Sequence, residues 1–153
     1  MPLAPQEIRT FFVTTVTAQR RRLFQVDRNS LLLIQVLQEN RAKSRLKLHA
    51  FVIMPDHLHL LLTPACDVSL EKAMQYIKGG FSFRLKSKFD VWEKGFNEHR
   101  IAGAPDYSNH LSYLEANPVR RALVETAAAY QFSSASGIHD LDAVPLHLTG
   151  SRG

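Results

Sequence analysis

Two histidines separated by one residue inside an apolar run, Pro55-Asp56-His57-Leu58-His59-Leu60-Leu61-Leu62, are the residues whose types and spacing most directly offer chemistry. On a β-strand side chains alternate between faces, so His57 and His59 point one way while Leu58, Leu60 and Leu62 point the other. Two neutral imidazoles presented side by side can hold a divalent metal ion. The same spacing also suits two polar-face residues near a strand end, and the pair alone does not choose between these readings. A second pair follows later, because Tyr113 and Asn117 are four apart and share one face of a helix. Asn117 precedes Pro118, and proline disfavours the helical conformation in the residue before it. A helix over 106–116 is therefore expected to stop at Asn117, with Pro118 opening a short new helix through Val124. On that reading Asn117 is an N-cap and Tyr113 an ordinary core tyrosine.

The histidine pair needs a strand to present it, and the surrounding pattern supplies one. Leu46 to Met54 is apolar and β-prone, Pro55-Asp56 interrupts it, and His57 to Thr63 resumes it, which predicts a hairpin. With a turn two residues long, His49 falls on the face opposite His57 and His59, which argues against a three-histidine zinc site using it. Residues 8–17, rich in β-branched and aromatic side chains, predict an earlier strand, and 28–44 predict a helix capped by Asp27 or Asn29. Ser69 is a candidate N-cap, with Glu71 in the first turn and Leu70, Met74, Ile77, Phe81, Leu85 and Phe89 at helical steps behind it. Gly79-Gly80 inside this stripe costs about 1 kcal/mol per glycine relative to alanine, so either something approaches the backbone there or the helix breaks. Residues 91–96 are a candidate fourth strand. The order strand, helix, hairpin, helix, strand, helix outlines an α+β, ferredoxin-like antiparallel sheet with helices packed on one face, plus a C-terminal helix carrying Tyr113. Residues 1–136 read as a single domain. From Gly137 the periodicity is lost, and 137–153 read as a loosely ordered C-terminal tail in which Leu141, Val144, Leu146 and Leu148 are available to dock.

At 153 residues the chain can bury a core without disulfides or structural zinc. Its one cysteine, Cys66, cannot make an internal bridge, and neither a signal peptide nor a membrane-length apolar stretch stands out, so a soluble, cytoplasmic protein is expected. The net charge is +5 and the pI about 9.6. The basic residues cluster at Arg20, Arg21 and Arg22, at Arg41, Lys43, Arg45 and Lys47, at Lys78, Arg84, Lys86 and Lys88, and at Arg100, Arg120 and Arg121. Such clusters suit a polyanion, because each cation set on a phosphate releases counterions. A solvated basic surface is the alternative.

Taken in order, FVIMPDHLHLLLTP (51–64), SLEKAMQYIKGGFSFRL (69–85), VWEKGFNEHRI (91–101), YLEANPVRRALV (113–124) and YQFSS (130–134) resemble the REP-associated tyrosine transposases, which belong to the single-tyrosine HUH transposases. The likeness runs from about residue 8 to residue 136. It implies that His57 and His59 ligate a divalent metal, Mg²⁺ or Mn²⁺, and that Asn117 can complete that site. It further implies that Tyr113 attacks single-stranded DNA to give a 5′-phosphotyrosine and a free 3′-hydroxyl, with rejoining by the reverse step. Hairpin DNA from palindromic repeats is the implied partner, with no membrane association, and the protein would act as a monomer or homodimer. DNA contacts are expected from Arg20, Arg21, Arg22, Lys78, Arg84, Arg100, Arg120 and Arg121. The sequence departs from the family pattern at Leu114, where isoleucine is usual, and at Ala104 and Pro105, where acidic residues are common, which leaves the start of the last helix open.

Two other readings compete. A non-catalytic RNA- or DNA-binding module shares the fold outline, and Lys78-Gly79-Gly80-Phe81-Ser82-Phe83 mimics an RNA-recognition motif, but that motif must lie on a strand and here sits in a helical pattern. A zinc hydrolase using His57, His59 and His99 or His110 is disfavoured because a His-Glu-x-x-His motif is absent and no acidic residue is expected to act near the pair. His99 and His110 are taken as surface or supporting residues without a ligand role, and Trp92 as a core residue.

Overall fold

The computed structural model describes residues 8–150; residues 1–7 of the expected domain and 151–153 of the expected tail lie outside the described residues. The elements run β1 (Phe11–Val16), α1 (Asp27–Ala42), β2 (Leu46–Met54), β3 (His57–Pro64), α2 (Leu70–Leu85), β4 (Asn97–Arg100) and α3 (Ala104–Arg120). The strands form one antiparallel sheet in the order β2-β3-β1-β4, the ferredoxin-like arrangement expected. Alternation along β3 divides the interior in two. Leu58, Leu60 and Leu62 enter the larger core with Leu33 and Leu37 of α1 and Met74, Ile77 and Phe81 of α2. Leu61 instead meets Tyr107 and Leu114 of α3, with Ala50, Val52 and Met54 of β2. Helices thus cover both faces of the sheet, α1 and α2 on one and α3 on the other. A central strand covered on both faces is buried along its whole length, as β3 is, with His57, His59 and Thr63 the polar side chains it carries inward on the α3 side.

Ser69 caps α2 as expected, its side chain accepting from Lys72 N–H at 3.0 Å. The glycine pair does not break α2, because a Cβ on Gly80 would lie 3.2 Å from Val36 Cγ1, so glycine allows α1 this close approach. Phe89 lies beyond the end of α2 and is exposed. α1 departs from expectation at its start, where Val26 is the N-cap without a side-chain bond and Asn29 donates to the Leu23 carbonyl at 2.8 Å. The fourth strand is Asn97–Arg100 and not 91–96. Val91 is buried in the larger core, and Trp92 packs on Phe24 and Phe81 at ring distances of 5.9 and 5.7 Å, so these apolar residues fill the interior while an exposed polar segment makes the ladder.

The free edge of β2 is covered by residues 130–136: Ile53 N–H donates to the Phe132 carbonyl at 2.9 Å, and Ser134 bonds both backbone groups of Phe51. Within 137–150, the Asp142 carboxylate accepts from Leu48 N–H and Arg41 Nε at 2.8 and 2.9 Å, and Leu148 is buried beside α3.

Candidate active site

The site is built where the β2–β3 hairpin turns. Pro55 and Asp56 form the two-residue turn, and their carbonyls accept from Phe24 N–H and Thr17 N–H, each at 3.0 Å. The chain between Thr17 and Phe24, with Gln19 and Arg20 in left-handed conformation at φ 56° and 52°, is thereby folded against the turn and carries the 20–22 arginine cluster to it. His57 and His59 follow on one face of β3, as the alternation predicts, with ring centroids 4.7 Å apart. Each ring is held through Nδ1, His57 by the Asp56 carboxylate at 2.7 Å and His59 by Thr14 Oγ1 on β1 at 2.8 Å. A carboxylate only accepts, so His57 Nδ1 carries the proton and Nε2 is left as a lone pair; Thr14 can fix His59 the same way.

Both rings are buried, and both are neutral near pH 7. Burial lowers His57 below the ordinary histidine range despite the opposing pull of Asp56, with the Arg121 and Arg20 charges adding to the lowering. Burial, then neighbouring His57 and the Arg120 and Arg121 charges, push His59 down to about 3. Burial alone would raise the Asp56 carboxyl, but His57 and Arg20 hold it below its ordinary range. Two neutral imidazoles oriented from behind are the protonation state that metal ligation requires.

α3 brings the tyrosine. The helix does not stop at Asn117; it continues through Pro118 to Arg120, and the expected new helix after Pro118 does not form. Proline removes one backbone donor, but Leu114, Asn117 and Pro118 are all buried, and that packing outweighs the local preference. Ala104 opens the helix behind Gly103. Tyr113 is half-exposed with its ring 5.8 Å from His59 and 6.1 Å from Phe12, which itself stacks on His59 at 5.2 Å. Asn117, one turn on, is 3% exposed. The other tyrosines are engaged elsewhere. Tyr76 lies under the Arg45 guanidinium at 3.9 Å; Tyr107 is buried, and burial with Glu115 pushes it up to about 12. Tyr130 donates to the Ile53 carbonyl at 2.6 Å, and burial with Asp27 pushes it up to about 12.

The basic residues divide by face. Arg120 stacks over the Tyr113 ring at 4.3 Å and donates to its carbonyl at 3.3 Å. Arg20 pairs with Asp56 at 3.3 Å, and Arg22 and Arg121 line a hollow with Asp56 and Met54. Arg21 reaches the Asp90 carbonyl, and Arg100 sits on β4 across from Phe11. Lys78 and Arg84 are on α2, over the other face of the sheet; Lys78 donates to the Glu93 and Gly95 carbonyls at 3.0 and 2.6 Å, and Arg84 pairs with Glu39.

The family model for Transposase IS200 like matches residues 9–115, a span containing His57, His59 and Tyr113. The chain belongs to the IS200-like transposases. Its resemblance to REP-associated tyrosine transposases is borne out by relatives. The REP-associated tyrosine transposase of Escherichia coli K12 is 27% identical over 139 residues, covering 87% of this chain and 83% of the relative. A putative REP-associated tyrosine transposase of Haemophilus influenzae is 32% identical over 99 residues, 56% of each chain. A REP-associated tyrosine transposase solved bound to a REP hairpin superposes with a TM-score of 0.72 at 24% identity, covering 95% of this chain and 92% of that one. A putative transposase of Deinococcus radiodurans superposes with a TM-score of 0.55 at 20% identity over 75% of this chain and 96% of its own.

Several parts of this IS200-like site escaped sequence reasoning. His49 is not on the opposite face, because a bulge between Leu48 and Ala50 resets the alternation and turns it toward Thr63 Oγ1, at 2.8 Å, and Tyr107. Its second ring nitrogen bonds the Asp142 carbonyl at 3.1 Å. Thr14 and Phe12 reach the site from β1 by strand pairing, Thr14 directly opposite His59. The expectation that no acidic residue acts near the pair is corrected: Asp56 adjoins His57 in sequence, and its carboxylate accepts from His57 Nδ1 at 2.7 Å, so the adjacent acid was the available signal. No helix among the described residues is long and apolar enough to cross a membrane.

Proposed function

We propose that this IS200-like transposase is a metal-dependent single-stranded DNA endonuclease that cleaves and rejoins hairpin DNA through a 5′-phosphotyrosine on Tyr113. The observation carrying this reading is the meeting of a half-exposed tyrosine with two oriented, neutral imidazoles, at 5.8 Å from the His59 ring. The donor set fits a divalent ion: two Nε2 lone pairs, with the buried amide of Asn117 on the same helix as Tyr113. Mg²⁺ or Mn²⁺ held by His57, His59 and Asn117 would polarise the scissile phosphate.

The rest of the chemistry falls to the chain. An ordinary tyrosine hydroxyl titrates near 10, so its proton must leave as it attacks. Half-exposed Tyr113 can release that proton to water. The Tyr113 oxygen bonds to phosphorus, the bond to the 3′ oxygen breaks, and that oxygen takes up a proton to become a hydroxyl. Rejoining runs the same bonds backward, with tyrosine as leaving group. In this reading Arg120, which lies over the Tyr113 ring, meets the phosphate, and Arg20, Arg21, Arg22, Arg100 and Arg121 hold flanking backbone, a role supported for Arg22 and Arg121 by the hollow they line with Asp56. The hairpin carried by the solved REP-associated relative supports a folded single strand as substrate. The module reading finds no support, since Lys78–Phe83 lies within α2 and offers no strand for stacking bases.

Tyr113→Phe removes only the hydroxyl. Hairpin binding and the melting temperature should be retained while the covalent protein–DNA adduct vanishes. Mass spectrometry finding a phosphotyrosyl nucleotide on Tyr76, Tyr107 or Tyr130 would overturn the assignment.

A further inference from the structure

His99 on β4 and Asp106 and His110 on α3, three residues without a part in the proposed strand cleavage, bring one donor atom each within 4.8 Å of the others. His99 Nε2 is 2.7 Å from Asp106 Oδ2 and His110 Nδ1 is 3.1 Å from Asp106 Oδ1. Ala102 N–H also donates to Oδ2 at 2.8 Å, which fixes the carboxylate from behind. The imidazoles stack at 4.5 Å with their planes 15° apart. His99 is half-exposed and the other two are partly exposed, so solvent or a phosphate oxygen can complete a coordination shell.

We propose that His99, Asp106 and His110 form a second divalent-metal site, distinct from the His57–His59 pair, that takes Zn²⁺ or a similar transition ion. Two imidazole nitrogens and one carboxylate oxygen are a zinc-type donor set, whereas Mg²⁺ and Ca²⁺ ask for oxygen throughout. Binding exchanges each N–H···O contact for a nitrogen–metal bond. A neutral ring whose facing nitrogen held the proton moves it to the other nitrogen, so no net proton is consumed. The site spans two elements and ties β4 to the first two turns of α3. His110 lies one turn before Tyr113, and the Phe12 ring touches His110 at 5.0 Å as well as His59 and Tyr113. An ion here would hold the nucleophile's helix against the sheet without touching the reacting atoms.

The test is binding, which separates this site from the cleavage chemistry. Full-length His57→Ala/His59→Ala protein is titrated with Zn²⁺ by calorimetry and with Co²⁺ by visible absorption. One equivalent of Zn²⁺ and a Co²⁺ d–d spectrum are expected, with affinity falling at least tenfold on adding Asp106→Asn. Because changes near buried residues can unfold a protein, His99→Gln on the exposed strand is titrated beside the wild type, and it should bind one equivalent fewer and lose the metal-induced rise in melting temperature. If the His57–His59 assignment alone is wrong, the wild type binds one equivalent that survives His57→Ala/His59→Ala and is lost in His99→Gln. Absence of Zn²⁺ heat and Co²⁺ bands in the folded His57→Ala/His59→Ala protein, or unchanged stoichiometry in His99→Gln, would overturn the proposal.

Discussion

Asp56→Asn isolates the group that orients His57, one of the two histidines proposed to hold the metal. In the native protein the Asp56 carboxylate accepts from His57 Nδ1–H at 2.7 Å and from Arg20 at 3.3 Å, and its side chain is 18% exposed. An asparagine of the same shape can turn its NH₂ toward Nδ1, which moves the ring proton to Nε2 and blocks ligation there. Losing such a supporting partner typically costs 10- to 100-fold in metal affinity, or about 1.4–2.8 kcal/mol, a range consistent with one hydrogen bond to a charged group. The assay is calorimetric titration of Mn²⁺ near neutral pH in a His99→Gln background, so that only the His57–His59 pair is read. Proton competition does not mimic the effect: Asp56 raises the basicity of His57, so removing it lowers the proton affinity further and by that route alone would help the metal. Arg20→Ala is the control, expected to change affinity by about twofold or less because it removes only an exposed ion pair. An Asp56→Asn dissociation constant within twofold of the parent would refute the orienting role and, with it, the tautomer assigned to His57.

Three further outcomes follow from the same geometry. Hairpin DNA should bind more tightly than a blunt duplex of matched length, with affinity falling linearly in log salt, and Arg121→Ala should reduce that slope by about 1 while Lys78→Ala, whose amine is bonded on the far face, leaves it unchanged. In chelator, thermal stability should fall as pH drops below about 6.5, because the unfolded chain then binds protons that native His59, depressed to about 3, refuses; each pH unit across that window costs up to about 1.4 kcal/mol, and His59→Gln should flatten the profile. Gly79→Ala, with nothing near its added Cβ, should stabilise the protein by up to about 1 kcal/mol, whereas Gly80→Leu should destabilise it by about 1–3 kcal/mol against Val36, as read by urea denaturation.

The parts of this protein that were legible in the sequence are those governed by short-range periodicity. Alternation alone put His57 and His59 on one face of β3, the Ser69 cap and the stripe from Leu70 to Leu85 marked α2, and the order of elements implied the ferredoxin-like sheet. Where local preference competed with burial, burial prevailed. Pro118 signals a break, yet α3 runs through it because Leu114, Asn117 and Pro118 bury together; Val91 and Trp92 look like a strand, yet they fill the core while polar Asn97–Arg100 pairs with β1. One inserted residue in β2 turned His49 to the other face, a local change that hydrophobic pattern does not encode.

By itself the sequence determined that two imidazoles would stand side by side on a strand and that a tyrosine would lie one turn ahead of an asparagine, because both follow from the repeat of a single element. Only the tertiary structure decided that Tyr113 meets His59, since α3 is laid on the face of the sheet opposite α1 and α2. It also sorted the basic clusters, setting Arg20, Arg22, Arg120 and Arg121 around the histidines and committing Lys78 and Arg84 elsewhere, and it joined His99 to Asp106 and His110 across two elements. Contacts of this kind join segments far apart in the chain, and their geometry comes from which faces pack together, a property of the whole fold that no local spacing carries.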